Sequence, residues 1–275
     1  MRILVTGATG FVGQHVVRRL IEQEHEVIAV ARVEQKAKQF DWYGQVRFIS
    51  HDIHRSKPDI KKWGNPKTVM HLAWSGLPNY QSSHHLEKNL PVQMRFLQTI
   101  VEQGVKQVLV TGTCLEFGKQ NGPLSEKTPT FPDNPYAIAK DKLRKWLQAL
   151  QVEKRLLLQW VRLFYMYGPG QNPNSILSQL DIAIESGKTV FNMSGGEQLR
   201  DYLPIEKVAK ILVSIVNRRQ KHGIIHCCSG EPISIRRLVE EHLQKRNASI
   251  KLNLGYYPYP DYEPMAFWGD NNNLK

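Results

Sequence analysis

Apolar residues along the chain follow two alternating rhythms. Short runs dense in β-branched residues at 2–6, 27–31, 46–50, 68–73, 107–111 and 156–163 predict strands. Between them, 12–23, 86–103 and 135–151 repeat apolar residues every three or four positions and predict helices. The last of these opens with Pro135 behind Asn134, a first-turn proline after a capping side chain. Strands and helices in alternation predict parallel pairing through right-handed crossovers, hence an α/β fold with a doubly wound sheet. After Tyr167-Gly-Pro-Gly170 the texture changes. An amphipathic stretch at 176–186, the pair Gly195-Gly196 and a Tyr/Pro-rich segment at 256–262 predict a smaller, irregular lobe. The division expected is a main domain over 1–164, with 201–228 returning to it, and a small lobe made of 165–200 and 229–275.

Composition narrows the class. With 275 residues, 41% hydrophobic and 23% charged, the chain reads as an ordinary soluble protein. The opening MRILVTGATG carries one charge and runs into glycine, which argues against a signal peptide. No apolar run approaches the roughly 18 residues a membrane span needs, so no membrane partner is expected. Cys114, Cys227 and Cys228 are odd in number and two are neighbours, a pattern of reduced thiols in a cytoplasm. No metal is expected. The net charge of +12 raises a nucleic-acid reading, but its cations are scattered in groups such as Lys36/Lys38, Lys61/Lys62 and Arg218/Arg219/Lys221. No basic arm or aromatic RNA-binding strand accompanies them. The balance equally suits a phosphorylated substrate.

Gly7-Ala-Thr-Gly10-Phe-Val-Gly13 follows the first strand and opens the first helix. Small residues there let the backbone turn tightly and approach a pyrophosphate at a helix N-terminus, where amides and the helix dipole favour negative charge. A glycine triplet alone is weak; straight after a strand and ahead of a βαβ pattern, it has the context a dinucleotide requires. The spacing GxxGxxG resembles the short-chain dehydrogenase/reductase superfamily, and TGATGFVG its extended, nucleotide-sugar branch. The fold this implies is a Rossmann-like NAD(P)-binding domain with a C-terminal substrate-binding lobe.

Tyr136-Ala-Ile-Ala-Lys140 puts a phenol and an ammonium four residues apart on one helix face. A phenol of ordinary pKa about 10 becomes useful near neutrality when a positive charge favours its phenolate. Such pairs are common on helix surfaces; this one follows a fifth strand with a hydroxyl-bearing loop, Val110-Thr-Gly-Thr-Cys-Leu-Glu-Phe-Gly118. That loop resembles the family's Ser-Ser-x-x-x-Tyr-Gly, with Thr113 at the catalytic hydroxyl position and Phe117 in place of the tyrosine. The resemblance makes Thr113, Tyr136 and Lys140 the catalytic residues. It extends through His71-Leu-Ala73, Asn89, the Arg162–Pro169 segment, Arg200-Asp201 and Ser229–Ile235, with Ser234 capping a late helix, and Asp270 belongs to a late acidic segment. The implied cofactor residues are Gly7, Thr9, Gly10, Phe11, Val12, Gly13, Arg32, Asp52, Ile53, Leu72, Ala73, Asn89, Thr111, Tyr136, Lys140 and Phe164. The implied substrate residues are Trp74, Thr113, Leu115, Glu116, Tyr165, Asn174 and Arg200, the last for a diphosphate.

Strand two ends Val30-Ala31-Arg32, without the acid that holds a ribose 2′-hydroxyl and with a cation instead. NADP(H) is therefore favoured over NAD(H). Cys114 and Leu115 stand where a 4,6-dehydratase has Asp-Glu, and Leu115 and Gly170 replace the Cys/His pair of combined epimerase–reductases. Two readings stay open. One is an NADPH-dependent reductase of a nucleotide-linked 4-keto-6-deoxyhexose (dTDP-, GDP- or CDP-); the other is an NAD-dependent nucleotide-sugar 4-epimerase. A reading of another class is a non-catalytic NADP-binding regulator. The resemblance also implies a homodimer formed by two helices per subunit, for which 86–103 and 135–151 are the candidates.

Overall fold

In the computed structural model, which describes residues 1–219, 223–259 and 264–272, seven short runs lie side by side as a parallel sheet. Lys221, residues 260–262 and Lys275 lie outside the described residues. The strands are β1 (Arg2–Thr6), β2 (Glu26–Ala31), β3 (Arg47–Ser50), β4 (Thr68–His71), β5 (Gln107–Thr113), β6 (Leu157–Leu163) and β7 (Gly223–Cys227). Their order is β7-β6-β5-β4-β1-β2-β3, so the chain reverses direction across the sheet between β1 and β4. The helices longer than two turns are α1 (Phe11–Glu22), α2 (Leu90–Glu102), α3 (Pro135–Lys154), α4 (Ile176–Glu185), α5 (Ile205–Asn217) and α6 (Ile235–Lys245).

A parallel sheet needs both faces covered, and its central strands are buried throughout. On one face Val16, Val17 and Leu20 of α1 and Val208, Leu212 and Val216 of α5 pack on Ile3, Val5 and Ala29. On the other, Phe96 and Leu97 of α2 and Leu143 and Leu147 of α3 pack on Leu4, Val69 and Val108. Beyond the sheet, Leu177 and Leu180 of α4 meet Leu238, Val239 and Leu243 of α6 in a separate core. No helix among the described residues is long and apolar enough to cross a membrane.

The six expected strands are present, most with ends shifted by a residue or two. Asn134 caps α3 through its side-chain oxygen, and Ser234 caps α6 in the same way. The helix expected at 86–103 differs. It begins as a wide turn over His85–Asn89 and becomes α-helical only at Leu90, because Pro91 sits in the first turn and has no N–H to extend the ladder backwards. Strand β7 was not among the expected strands. Its run Gly-Ile-Ile-His-Cys breaks the apolar pattern at His226, which is nonetheless fully buried.

The sheet and the outer segments are tied at Asp201. Its fully buried carboxylate accepts the backbone N–H groups of Ser229 and Gly230, at 2.7 and 2.9 Å, and that of Gly269 at 3.4 Å. Burial raises its pKa, opposed by these donors.

The first turn of α1 is packed to the limit. A Cβ on Gly13 would lie 2.1 Å from the Gly7 carbonyl oxygen, and one on Gly7, which has φ +70°, would meet the Ala73 backbone at 2.9 Å. Gly13→Ala should therefore lower unfolding stability by about 1–3 kcal/mol, read as a shift of the urea midpoint at unchanged slope.

Candidate active site

The strand ends at the point where sheet order reverses leave a crevice, the place where open α/β sheets bind ligands. A groove of about 210 Å³ lies there, lined by Gly7, Thr9, Gly10, Ala31, Arg32 and Ile53 among others. Leu72, Ala73, Trp74 and Ser75 also form part of its wall. Gly10, in extended conformation at the helix N-cap, supplies no side-chain cap to α1, so the helix opens on bare amides. Their dipole and the absence of side chains at Gly7 and Gly10 fit a pyrophosphate. The residues present thus suit the expected dinucleotide.

Thr6, Lys36, His51, His54, Ser75 and Gln93 also line the groove and escaped the sequence reading. Lys36 left a signal, four residues beyond Arg32; the histidines are brought in by the turn after β3 and left none. Phe11 and Val12 instead pack against the core under α1. Asp52 is not on the groove wall. Its carboxylate accepts the His54 N–H at 2.9 Å and faces Arg55 at 3.6 Å, so it shapes the turn that presents Ile53.

Tyr136 and Lys140 sit on the buried face of α3 beside the end of β5. The Tyr136 phenol lies beside the Thr113 side chain, which favours its ionised form, and its ring meets Trp74, Tyr80 and His85 at centroid distances of 5.8, 5.4 and 5.3 Å. Burial pushes its pKa up. The Lys140 ammonium donates to the Thr111 carbonyl at 2.8 Å and lies 4.1 Å from the centre of the Trp74 ring. Burial brings its pKa down to about 7, against a favourable pull from Glu116. The pair can pass a proton at one oxygen, with Thr113 orienting it. Thr113, Thr111, Tyr136 and Lys140 are therefore brought together as expected.

Glu116, expected as a substrate contact, lies among protein donors. It is fully buried, and an enclosed carboxylate must be surrounded by donors. It accepts the Thr113 N–H at 3.0 Å, the Trp160 indole at 3.1 Å and the Arg162 guanidinium at 2.8 Å, with Arg144 at 3.5 Å. Asn89, expected on the cofactor, is likewise fully buried, its amide engaged with Ser75 and His85. Arg200 is buried too; its guanidinium bonds the Leu199 carbonyl and lies over the Phe267 ring at 4.8 Å. Phe164 packs in a small cluster with Cys114, Phe117 and Phe267, while Tyr165 and Leu115 are half-buried nearby. Asn174 is exposed ahead of α4, away from the groove.

Glu116→Ala would leave Arg162 charged, buried and unpaired. It should lower unfolding stability by about 3–5 kcal/mol in urea titration, well beyond the usual surface substitution.

Comparison with known proteins agrees with this geometry. The profile of the NAD dependent epimerase/dehydratase family matches residues 3–228. A dTDP-6-deoxy-L-talose 4-dehydrogenase (NAD(+)) of Aggregatibacter actinomycetemcomitans is 33% identical, over 98% of this chain and 99% of its own. The dTDP-4-dehydro-6-deoxyglucose reductase of Escherichia coli is 23% identical, over 86% of this chain and 79% of its own. Among solved structures, MoeE5 in complex with UDP-glucuronic acid and NAD superposes with a TM-score of 0.83 at 25% identity, covering 100% of this chain and 91% of MoeE5. The chain belongs to the NAD-dependent epimerase/dehydratase family, whose members include nucleotide-sugar dehydrogenases, reductases and epimerases.

Proposed function

We propose that the protein is an NADP(H)-dependent oxidoreductase acting at C4 of a nucleotide-linked 6-deoxyhexose, reducing the 4-keto group in the forward direction. The observation that carries this reading is the single proton-handling pair. Tyr136 stands beside Lys140 and the Thr113 side chain, and neither Cys114 nor Leu115 supplies a carboxylic acid. Glu116, the nearest carboxylate in sequence, is engaged with Arg162 and Trp160. Dehydration or epimerisation at C3 and C5 would need such a group. The Aggregatibacter relative, named for a 4-dehydrogenase of a dTDP-6-deoxyhexose, supports chemistry confined to C4.

A bound dihydronicotinamide would supply hydride to C4. Tyr136 delivers its phenolic proton to the C4 oxygen as the carbonyl electron pair moves onto it, giving the alcohol. Lys140 favours the phenolate that remains, and Thr113 holds the sugar oxygen in line. In the oxidising direction the same phenolate takes the hydroxyl proton.

Arg32 and Lys36 both line the groove next to Ala31, where no carboxylate stands. Two cations suit a ribose 2′-phosphate, which a carboxylate would repel. The Aggregatibacter relative is named for NAD(+), so the nucleotide preference rests on these two side chains. A homodimer through α2 and α3 belongs to the same proposal and is measured by sedimentation.

Three outcomes are expected. A panel of nucleotide 4-keto-6-deoxysugars should consume NADPH in equal amounts with sugar, followed at the nicotinamide absorbance. Epimerised sugar without net cofactor consumption would favour a 4-epimerase, the activity named for several relatives. Tyr136→Phe should lower kcat by about two to four orders of magnitude while still binding cofactor; undiminished turnover would sink the mechanism. Arg32→Ala should weaken NADPH roughly tenfold to a hundredfold and leave NADH nearly unchanged, by fluorescence titration.

A further inference from the structure

The loop that follows β4 folds back on the active site, and one histidine organises it. His85 is fully buried and has a hydrogen-bonding partner on each nitrogen. The Trp74 indole N–H donates to Nδ1 at 3.1 Å, and the Asn89 amide approaches the same nitrogen at 3.3 Å. Nδ1 therefore carries no proton. Nε2 carries it and donates to the Asn79 carbonyl at 2.8 Å. The ring is thus neutral, of fixed tautomer, and closes the loop from Trp74 through Asn79 onto itself.

Two surfaces of this assembly meet the proton-handling pair. The His85 ring stands at 62° to the Tyr136 ring, 5.3 Å between centroids. Trp74, stacked at 26° along His85, presents its face to Lys140 Nζ at 4.1 Å. We propose that His85 is a positioning residue, which fixes the Trp74 indole as a hydrogen-bond acceptor and through it holds the Lys140 ammonium in place beside Tyr136. The proposal rests on Tyr136 and Lys140 being the pair that handles the proton. It goes beyond that reading by giving the loop after β4 a part in the pair's electrostatics.

The reason such support matters is the setting of Lys140. Burial costs its charged form, and the groups that face it are few. Tyr136 lies on its own helix, the Thr111 carbonyl and Glu116 come from β5 and the turn after it, His71 ends β4, and His85 comes from the turn before α2. His71 and His85 are both held neutral by burial, so neither adds a competing charge at neutral pH. Glu116 and the electron-rich face of Trp74 favour the ammonium. If the indole swings away, that share is lost. The ammonium then deprotonates at lower pH, and activity that needs it disappears earlier as pH rises.

The test is a pH titration of NADPH and NADH affinity by fluorescence, run alongside kcat on the sugar that turns over. In the wild type, affinity should weaken as pH rises through the Lys140 midpoint. His85→Phe keeps an aromatic ring, somewhat larger, but offers no acceptor. It should move that midpoint down by about half to one pH unit and lower kcat roughly tenfold. His85→Asn, whose amide oxygen can take the place of Nδ1, should restore most of both. Trp74→Phe, which lacks the indole N–H, should shift the midpoint in the same direction. Adding His85→Phe to it should produce little further shift, because the two act through one contact. A wild-type midpoint in folded His85→Phe, a His85→Asn variant as displaced as His85→Phe, or additive shifts in the double variant would each overturn the proposal. If no sugar turns over while the dinucleotide titration shifts as described, the substrate reading fails and this one stands.

Discussion

A carboxylate cut off from water is stable only where donors converge on it, and Glu116 draws them from three parts of the chain. Thr113 offers its backbone N–H from the end of β5, Trp160 and Arg162 reach in from β6, and Arg144 approaches from α3. Two of these elements also carry the candidate site, β5 with Thr113 and α3 with Tyr136 and Lys140. The charge cluster costs desolvation, as buried ion pairs do, so its value lies less in raw stability than in register. With Glu116 satisfied in only one arrangement, the turn after β5 and the helix bearing the phenol are held in a single relation.

The crevice complements this core with opposite demands. Where Glu116 is enclosed by cations, the groove offers bare amides and close-packed glycines to an anion. Arg32 and Lys36 add to its positive field. The groove thus offers positive charge to an anion, and Trp74 on its wall leads on to Lys140 and Tyr136. Part of the net charge of +12 lies along this groove, at Arg32 and Lys36.

What could be read from the sequence was what is local. The glycine turn, the i,i+4 phenol and ammonium, the Asn134 and Ser234 caps and the missing acid after β2 all depend on neighbours a few residues away, and all are found where their spacing put them. The surroundings that could not be read depend on distant partners. Nothing near Glu116 in the sequence shows that Arg162, 46 positions on, will stand beside it. Nothing near Asn89 shows that Ser75 will take its amide. Nothing local shows that Phe117 and Phe164 will enclose His226. The part His85 plays was hidden for the same reason: its partners Trp74 and Asn79 lie on a loop with no regular period.

Asp201 has a consequence for motion. Its carboxylate fastens the chain just after β7 at Ser229 and Gly230 and the late strand residue Gly269, while its own neighbours Tyr202–Pro204 pair with Tyr165–Tyr167 next to β6. Swinging the outer segments away from the sheet as a rigid flap would strip a buried charge of its donors. Opening the site by such a flap would cost these contacts, so movement of the loops at the rim is the cheaper way to admit a ligand.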